Sequence, residues 1–328
     1  MGELHKFIFD GLPVRGMLVR LTGSWREVLA RRAGAGDAFE PSVRALLGEM
    51  AVAGVLMQAN IRFKGALVLQ VHGDGPVKLA VAEVRDDLAY RVTATVLGDV
   101  PEAARLEAMV NVHGQGRCAI TLDPQDKGGG QQPYQGVVTL HGDRREPLQE
   151  FSEVLEHYML QSEQLDTKLV LAANDEVAAG LLIQRLPVQG AGNLEGTLRR
   201  DVANEDRIGL DEAYNRIALL AGTLTRDELL TLDADAVLHR LFWQEPLRRY
   251  APLRGASGPR FSCSCSRERV GGMLKSLGRG EIDGIIEEQG RVEIACEFCG
   301  LKYHFDPVDV GGLFTPAGNQ PPGSMARH

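Results

Sequence analysis

The chain has 328 residues, 44% of them hydrophobic and 24% charged, enough apolar material for a sizeable core and too much for wholesale disorder. Its length exceeds one typical core of roughly 100–200 residues, which points to two or three domains. Lys and Arg number 36 against 44 Asp and Glu, and the net charge of −8 argues against a dedicated nucleic-acid or anionic-membrane binder. The opening MGELHKFIFDGLPVRGMLV lacks the basic start and unbroken apolar run of a signal peptide. No run of about 18 uncharged apolar residues is found, so no membrane span is expected. The expected location is cytoplasmic, a reducing compartment. Five cysteines are too few for a disulfide-built scaffold, and clustered ones there read as metal ligands or redox groups.

In chain order, residues 41–60 place Val43, Leu46, Leu47, Met50, Val55 and Leu56 near helical spacing, with Pro41 suited to a first turn. The period then changes to two. Leu67, Leu69 and Val71 alternate before the turn-forming HGDGP, and Val77, Leu79 and Val81 alternate after it, which is a hairpin signal. Tyr90 to Leu97 is a further strand. CAITL at 118–122 and YQGVVTL at 134–140, joined through Gly128, Gly129 and Gly130, make a second pair. A helix is expected at 147–161 on the stripe Leu148, Phe151, Val154, Leu155, Tyr158 and Met159, and two more strands within 168–186. The sum is an α+β fold whose core domain, residues 1–187, is an antiparallel sheet with helices packed on it.

After Pro187 a Gly-rich connection leads into a helical region over 188–256, with short segments from about 202 to 250. Tyr214, Ile217, Leu220 and Ala221 give one stripe; Leu229, Leu230, Val237, Leu238 and Leu241 give more. Helices this short depend on packing against something else. A Pro/Gly/Ser linker at 251–259 opens a cysteine-bearing module over 257–314, and 315–328 reads as a disordered tail.

The module carries Cys263, Cys265, Cys296 and Cys299 as C-x-C and C-x-x-C, separated by thirty residues. Two close thiolate pairs suit one tetrahedral Zn²⁺, with sulfur at about 2.3 Å. Val292 and Ile294 alternate before Cys296; Leu301, Tyr303 and Phe305 alternate after Cys299. That predicts a hairpin with both cysteines at its tip and Gly300 at positive φ. His304 falls on the opposite strand phase and reads as an exposed histidine rather than a ligand. Cys118, alternating with Ile120 and Leu122, reads as a buried small hydrophobe.

Two features favour a switch over a permanent structural knot. C-x-C is less usual than C-x-x-C in a structural site. The module is also too small to hold much core, whereas zinc contributes about 10–16 kcal/mol of apparent binding energy to such sites. Oxidising the thiolates would remove the ligands and the fold with them. Four sulfurs fill the coordination sphere, so metal-assisted hydrolysis is not expected, and no catalytic constellation is found. The residues leave open a zinc-ribbon nucleic-acid or partner-binding protein with a structural metal. A C-x-x-C thiol oxidoreductase is also left open.

FSCSCSRERV at 261–270 with CEFCGLKYHF at 296–305 resembles the thirty-three-kilodalton heat-shock protein family of redox-regulated bacterial chaperones. So do KGALVLQVHGDGPV at 64–77, YQGVVTLHG at 134–142, YMLQSEQLDTKL at 158–169 and AAGLLIQRLP at 178–187, in the same order. The resemblance implies a core domain, a redox-sensitive helical linker and a C-terminal zinc domain. It implies one Zn²⁺ held by Cys263, Cys265, Cys296 and Cys299 in an inactive reduced form. Strong oxidants would then form the disulfides Cys263–Cys265 and Cys296–Cys299, with zinc loss and unfolding of module and linker. The implied function is a non-enzymatic, ATP-independent holdase for unfolding client proteins, a homodimer when oxidised, passing clients to an ATP-dependent refolding chaperone. On this reading Ile217, Leu220, Leu238, Leu241 and Phe242 rest on the core sheet when reduced and bind client when released.

Overall fold

The computed structural model describes residues 2–36, 38–125, 132–186 and 200–315, with 200–210 by backbone alone. The connection through Gly128–Gly130, the Gly-rich stretch after Pro187 and the tail beyond Thr315 lie outside the described residues. The chain divides between Ser262 and Cys263 into two compact units, the second also taking the short segment that follows Ala30.

The first unit opens with the hairpin β1 (Gly2–Phe9) and β2 (Val14–Leu21), then α1 (Gly23–Gly34) and α2 (Pro41–Asn60). The expected hairpin follows as β3 (Gly65–His72) and β4 (Val77–Arg85), then β5 (Ala89–Val96), a short α3 (Leu106–Val110), and the second expected pair β6 (Arg117–Pro124) and β7 (Tyr134–Thr139). Next come α4 (Phe151–Gln161), β8 (Thr167–Ala173) and β9 (Ala178–Arg185). α4 starts four residues later than the stripe predicts. Pro147 is held in a β-bridge with His141, and Glu150 and Glu153 form a capping box that fixes the helix start.

The α+β class holds, but the antiparallel strands form two six-stranded sheets rather than one. The first runs β8-β9-β2-β1 and gains two short strands on β1; the second runs β7-β6-β3-β4-β5 and gains one on β5. α2 packs against strands of both. Between two sheets a helix keeps little solvent face, which explains why most of its positions are apolar. With mean hydropathy 1.2 over its best window, it is long and apolar enough to cross a membrane by length and composition, yet 72% of that window is buried here. Its approach to β8 needs Gly48, where a Cβ would sit 2.4 Å from the Ala173 Cβ.

The first sheet is buried on both faces, so its strands divide by period two. On β9, Ala178 and Leu182 join the core around α2, while Ala179, Leu181 and Ile183 join a second cluster on the far side. α5 (Arg200–Gly222), α6 (Arg226–Thr231) and α7 (Ala234–Phe242) cover that side. α5 has 23 residues, so the expectation of uniformly short helices fails for it. Its apolar stripe over Tyr214, Ile217 and Ala221 finds a sheet to bury against, and that tertiary contact supports the length.

From α7 the chain is stitched to both sheets. β10 (Leu247–Arg249) and β11 (Leu253–Arg254) pair with β1, and β12 (Arg260–Phe261) pairs parallel with β5. The stretch read as a plain linker at 251–259 therefore includes one of these strands. The second unit contains α8 (Arg267–Leu277), α9 (Arg279–Gln289), the hairpin β13 (Val292–Ala295) and β14 (Lys302–Phe305), and α10 (Pro307–Phe314). Its core is small: Leu274, Ile282, Val292, Tyr303, Phe305 and Val310.

Candidate metal centre

The hairpin of the second unit forms as its alternation predicts. Val292 pairs with Phe305 and Ile294 with Tyr303, so Tyr303 and Phe305 face the small core while His304 points to solvent. The loop between the strands closes on itself: the Cys296 N–H donates to the Leu301 carbonyl at 2.9 Å, and the Gly300 N–H to the Cys296 carbonyl at 2.8 Å. Gly300 adopts φ 70°, the left-handed conformation that costs a side-chain-bearing residue most. Cys263 and Cys265 lie just ahead of α8, whose N-cap Ser266 accepts from the Arg269 N–H at 3.2 Å.

These segments bring four sulfurs within 4.8 Å of one another. Cys263 Sγ stands 3.6 Å from Cys296 Sγ, and Cys265 Sγ stands 3.4 Å from Cys299 Sγ. Tetrahedral sulfurs at about 2.3 Å from zinc would be about 3.8 Å apart, so the spacing suits such an ion. Each close contact joins a residue of the C-x-C to one of the C-x-x-C, which is the interleaving a shared ion requires. All five cysteines of the chain are unbridged. The cluster could hold a metal, and a donor set of four soft sulfurs fits Zn²⁺.

The thiols differ in their surroundings. Burial and the neighbouring sulfurs push Cys263 and Cys299 above the ordinary thiol value. Burial acts on Cys265 in the same sense, but the Tyr303 hydroxyl and the neighbouring thiols turned toward its sulfur bring it below that value. The strand alternation of the sequence places Tyr303 on an apolar stripe and assigns it no role at the cluster. A tyrosine buried in such a stripe must bring its hydroxyl to a polar partner, and that requirement was the available signal. Arg267 was missed as well: it lies 4.3 Å over the Phe305 ring, donates to the His304 carbonyl at 2.7 Å and pairs with Asp309 at 2.7 Å. It thereby ties α8, β14 and α10 together around the cluster.

His304 Nδ1 lies 3.3 Å from Glu293 and is outside the sulfur cluster, in keeping with its assignment as a surface residue. Cys118 is fully buried in β6, within the core around α2, where burial pushes its thiol up to about 12. The five residues expected to meet client sit together in unit one. Ile217, Leu238, Leu241 and Phe242 are buried in the cluster on the far face of the first sheet, and Leu220 packs against it. Phe242 makes an edge contact with Phe9 at 5.1 Å.

The sequence profile of the Hsp33 protein family matches residues 2–306. The 33 kDa chaperonin of Chromobacterium violaceum is 44% identical over 313 residues, covering 95% of this chain and 93% of that one. The 33 kDa chaperonin of Neisseria meningitidis serogroup A is 40% identical over 94% of this chain and 90% of its own length. That of Methylobacillus flagellatus is 39% identical over 99% and 98%. The crystal structure of the 33 kDa chaperonin of Thermotoga maritima shares the fold with a TM-score of 0.71 at 20% identity, covering 95% of this chain and 97% of that one. With the profile and its relatives spanning both the two-sheet unit and the four-cysteine unit, the chain belongs to the Hsp33 family.

Proposed function

We propose that the protein is an oxidation-activated, ATP-independent holdase chaperone of the cytoplasm, whose switch is the cluster of Cys263, Cys265, Cys296 and Cys299. One observation carries the reading: four sulfurs within 4.8 Å cross-connect a unit whose core, among the described residues, is built on six buried apolar side chains. In this reading residues 1–187 are the stable core, 188–256 the helical linker, 257–314 the zinc-binding switch and 315–328 a tail. Zinc, when bound, keeps the four sulfurs deprotonated and ties the two cysteine segments together.

Oxidation pairs the sulfurs locally, Cys263 with Cys265 and Cys296 with Cys299. Each pair of thiolates yields two electrons to one peroxide, which takes up two protons and leaves as two waters while the S–S bond forms. The four ligands are then gone and with them the ties between C-x-C and C-x-x-C. The small remaining core cannot hold the unit together. The helical layer follows, releasing Ile217, Leu220, Leu238, Leu241 and Phe242 from the sheet as client-binding surface. Family membership supports a chaperone function, in which bound clients pass to an ATP-dependent refolding chaperone and the oxidised form dimerises.

The test is peroxide treatment of the reduced, zinc-loaded protein, with free thiols, released zinc and suppression of a client's thermal aggregation measured on one sample. The expected result is loss of four thiols, release of about one zinc per chain, and aggregation suppression that appears only after oxidation. Zinc retained through harsh peroxide, with no gain in suppression, would overturn the proposal in favour of a purely structural metal.

A further inference from the structure

α6 has six residues, too few to be stable alone, and its two ends are held by charged side chains of opposite origin. At its C-terminal end Arg20 of β2 reaches over, donating from Nη1 to the Leu229 carbonyl at 2.6 Å and from Nη2 to the Leu230 carbonyl at 3.2 Å. Carbonyls of a last helical turn have no partner within the helix, and a cation there also meets the negative end of the helix dipole. At the N-terminal end the direction reverses. Arg226 reaches away from α6, donating to Glu49 Oε1 of α2 at 3.3 Å and to the Ala173 carbonyl at the end of β8.

We propose that Arg20, Glu49 and Arg226 form a charged clasp that sets how readily α6, and the helical layer with it, lifts from the first sheet. The inference rests on the reading of that layer as the mobile element of the switch. Desolvation of Glu49 offsets its attraction to Arg226, the Glu49 side chain being 17% exposed and that of Arg226 51%, and removing Arg226 leaves the carboxyl without its counter-charge. Glu49 shows that balance. Burial pushes its carboxyl up to about 7 although Arg226 stands beside it, and Glu150 at the start of α4 adds repulsion in the same sense. Burial also lowers Arg20, with Glu3 and Asp233 facing it and opposing the shift.

The sign follows from linkage. Glu49 belongs to α2, in the core between the two sheets, so its burial persists when α6 lifts from the far face; what departs is Arg226, which lowers the carboxyl. With α6 docked Glu49 holds its proton to about pH 7, and without Arg226 it holds it higher still. The docked form therefore gains stability as pH rises through about 7 and lacks that gain below it. The clasp is tighter above neutrality and looser in mild acid.

Hydrogen exchange on the full-length, reduced, zinc-loaded protein tests this without oxidant or client, so its outcome is independent of the holdase reading. After correction for intrinsic rates, protection across residues 226–242 should rise several-fold between about pH 6 and about pH 8.5, with β9 amides unchanged. Glu49→Gln, which keeps an acceptor for Arg226, should flatten the profile at its low-pH level. Arg226→Met should lower protection several-fold, most above neutrality, and adding Glu49→Gln should lower it little further. A wild-type pH profile in Glu49→Gln, or unchanged protection in Arg226→Met, would overturn the clasp. Should Arg226→Met fail to fold, the profile of Glu49→Gln decides alone.

Discussion

The two units of this chain are stable for different reasons. The first encloses α2 between two sheets and buries both faces of the sheet built on β1, β2, β8 and β9, so apolar area alone accounts for its cohesion. Fully burying one Leu- or Phe-sized side chain contributes about 1.5–3 kcal/mol, and that unit does so many times over. The second has, among its described residues, a core of six buried apolar side chains and four clustered sulfurs. A cohesion made of packing is lost gradually by mutation and hardly at all by oxidant. A cohesion made of sulfur–metal bonds is lost at once by chemistry that leaves packing untouched. On the proposed reading, that difference is what lets one polypeptide combine a sensor with a platform.

The largest expected effect tests that contrast directly. Cys296→Ser should remove zinc binding, leave residues 267–314 without exchange protection and loosen the helical layer over 226–242, while α2 and the two sheets change little, because about 10–16 kcal/mol of apparent metal binding is lost from the second unit only. Cys118→Ser should leave metal content unchanged, since Cys118 lies in the apolar core and outside the cluster. Metal analysis and residue-resolved exchange check both; loss of protection in α2 and the two sheets as well would break the comparison. Next in size, Phe242→Ala should cost about 3–5 kcal/mol of helical-layer stability and raise apolar-dye binding in the reduced protein. No gain in dye binding would mean the layer collapses back on the sheet.

Smaller effects sharpen the boundary. Gly48→Ala inserts a Cβ at 2.4 Å from that of Ala173 and should cost about 1–3 kcal/mol, read as a lower melting temperature of the first unit alone. Asp306 caps α10 by accepting from the Val308 and Asp309 N–H groups at 2.8 and 2.7 Å, so Asp306→Ala should cost about 1 kcal/mol. In a unit with so little core, that loss should show as faster zinc transfer to a chelator.

How much could be read from the sequence follows the same division. The hairpins of β3 with β4 and β6 with β7, and the helix α2, stood out because period-two and helical spacing are local properties. The cysteine cluster stood out because ligand type and spacing are written in four letters. The hairpin of β1 and β2 was passed over although Asp10-Gly11 marks its turn, with Gly11 at φ 80°; His5 and Lys6 break the apolar alternation. β10, β11 and β12 carry Arg248, Arg249, Arg254 and Arg260 and have no strand pattern of their own. They become strands only because β1 and β5 offer unpaired edges, a fact held by distant parts of the chain. The clasp at α6 was equally invisible, since Arg20, Glu49 and Arg226 are far apart in sequence.

Those borrowed strands bear on the proposed switch. The Ser262 N–H donates to the Tyr90 carbonyl at 3.0 Å, so the residue directly before Cys263 is tied to a sheet edge. Were the four-cysteine unit to unfold, a fraying front running backward from Cys263 would have to unzip the two-residue ladder on β5, then the ladders of β11 and β10 on β1, before α7 felt any slack. On the proposed reading the segment is a delay fuse: brief oxidation would be reversible by reductant while the later ladders held, and only a sustained insult would burn through to the greasy helices.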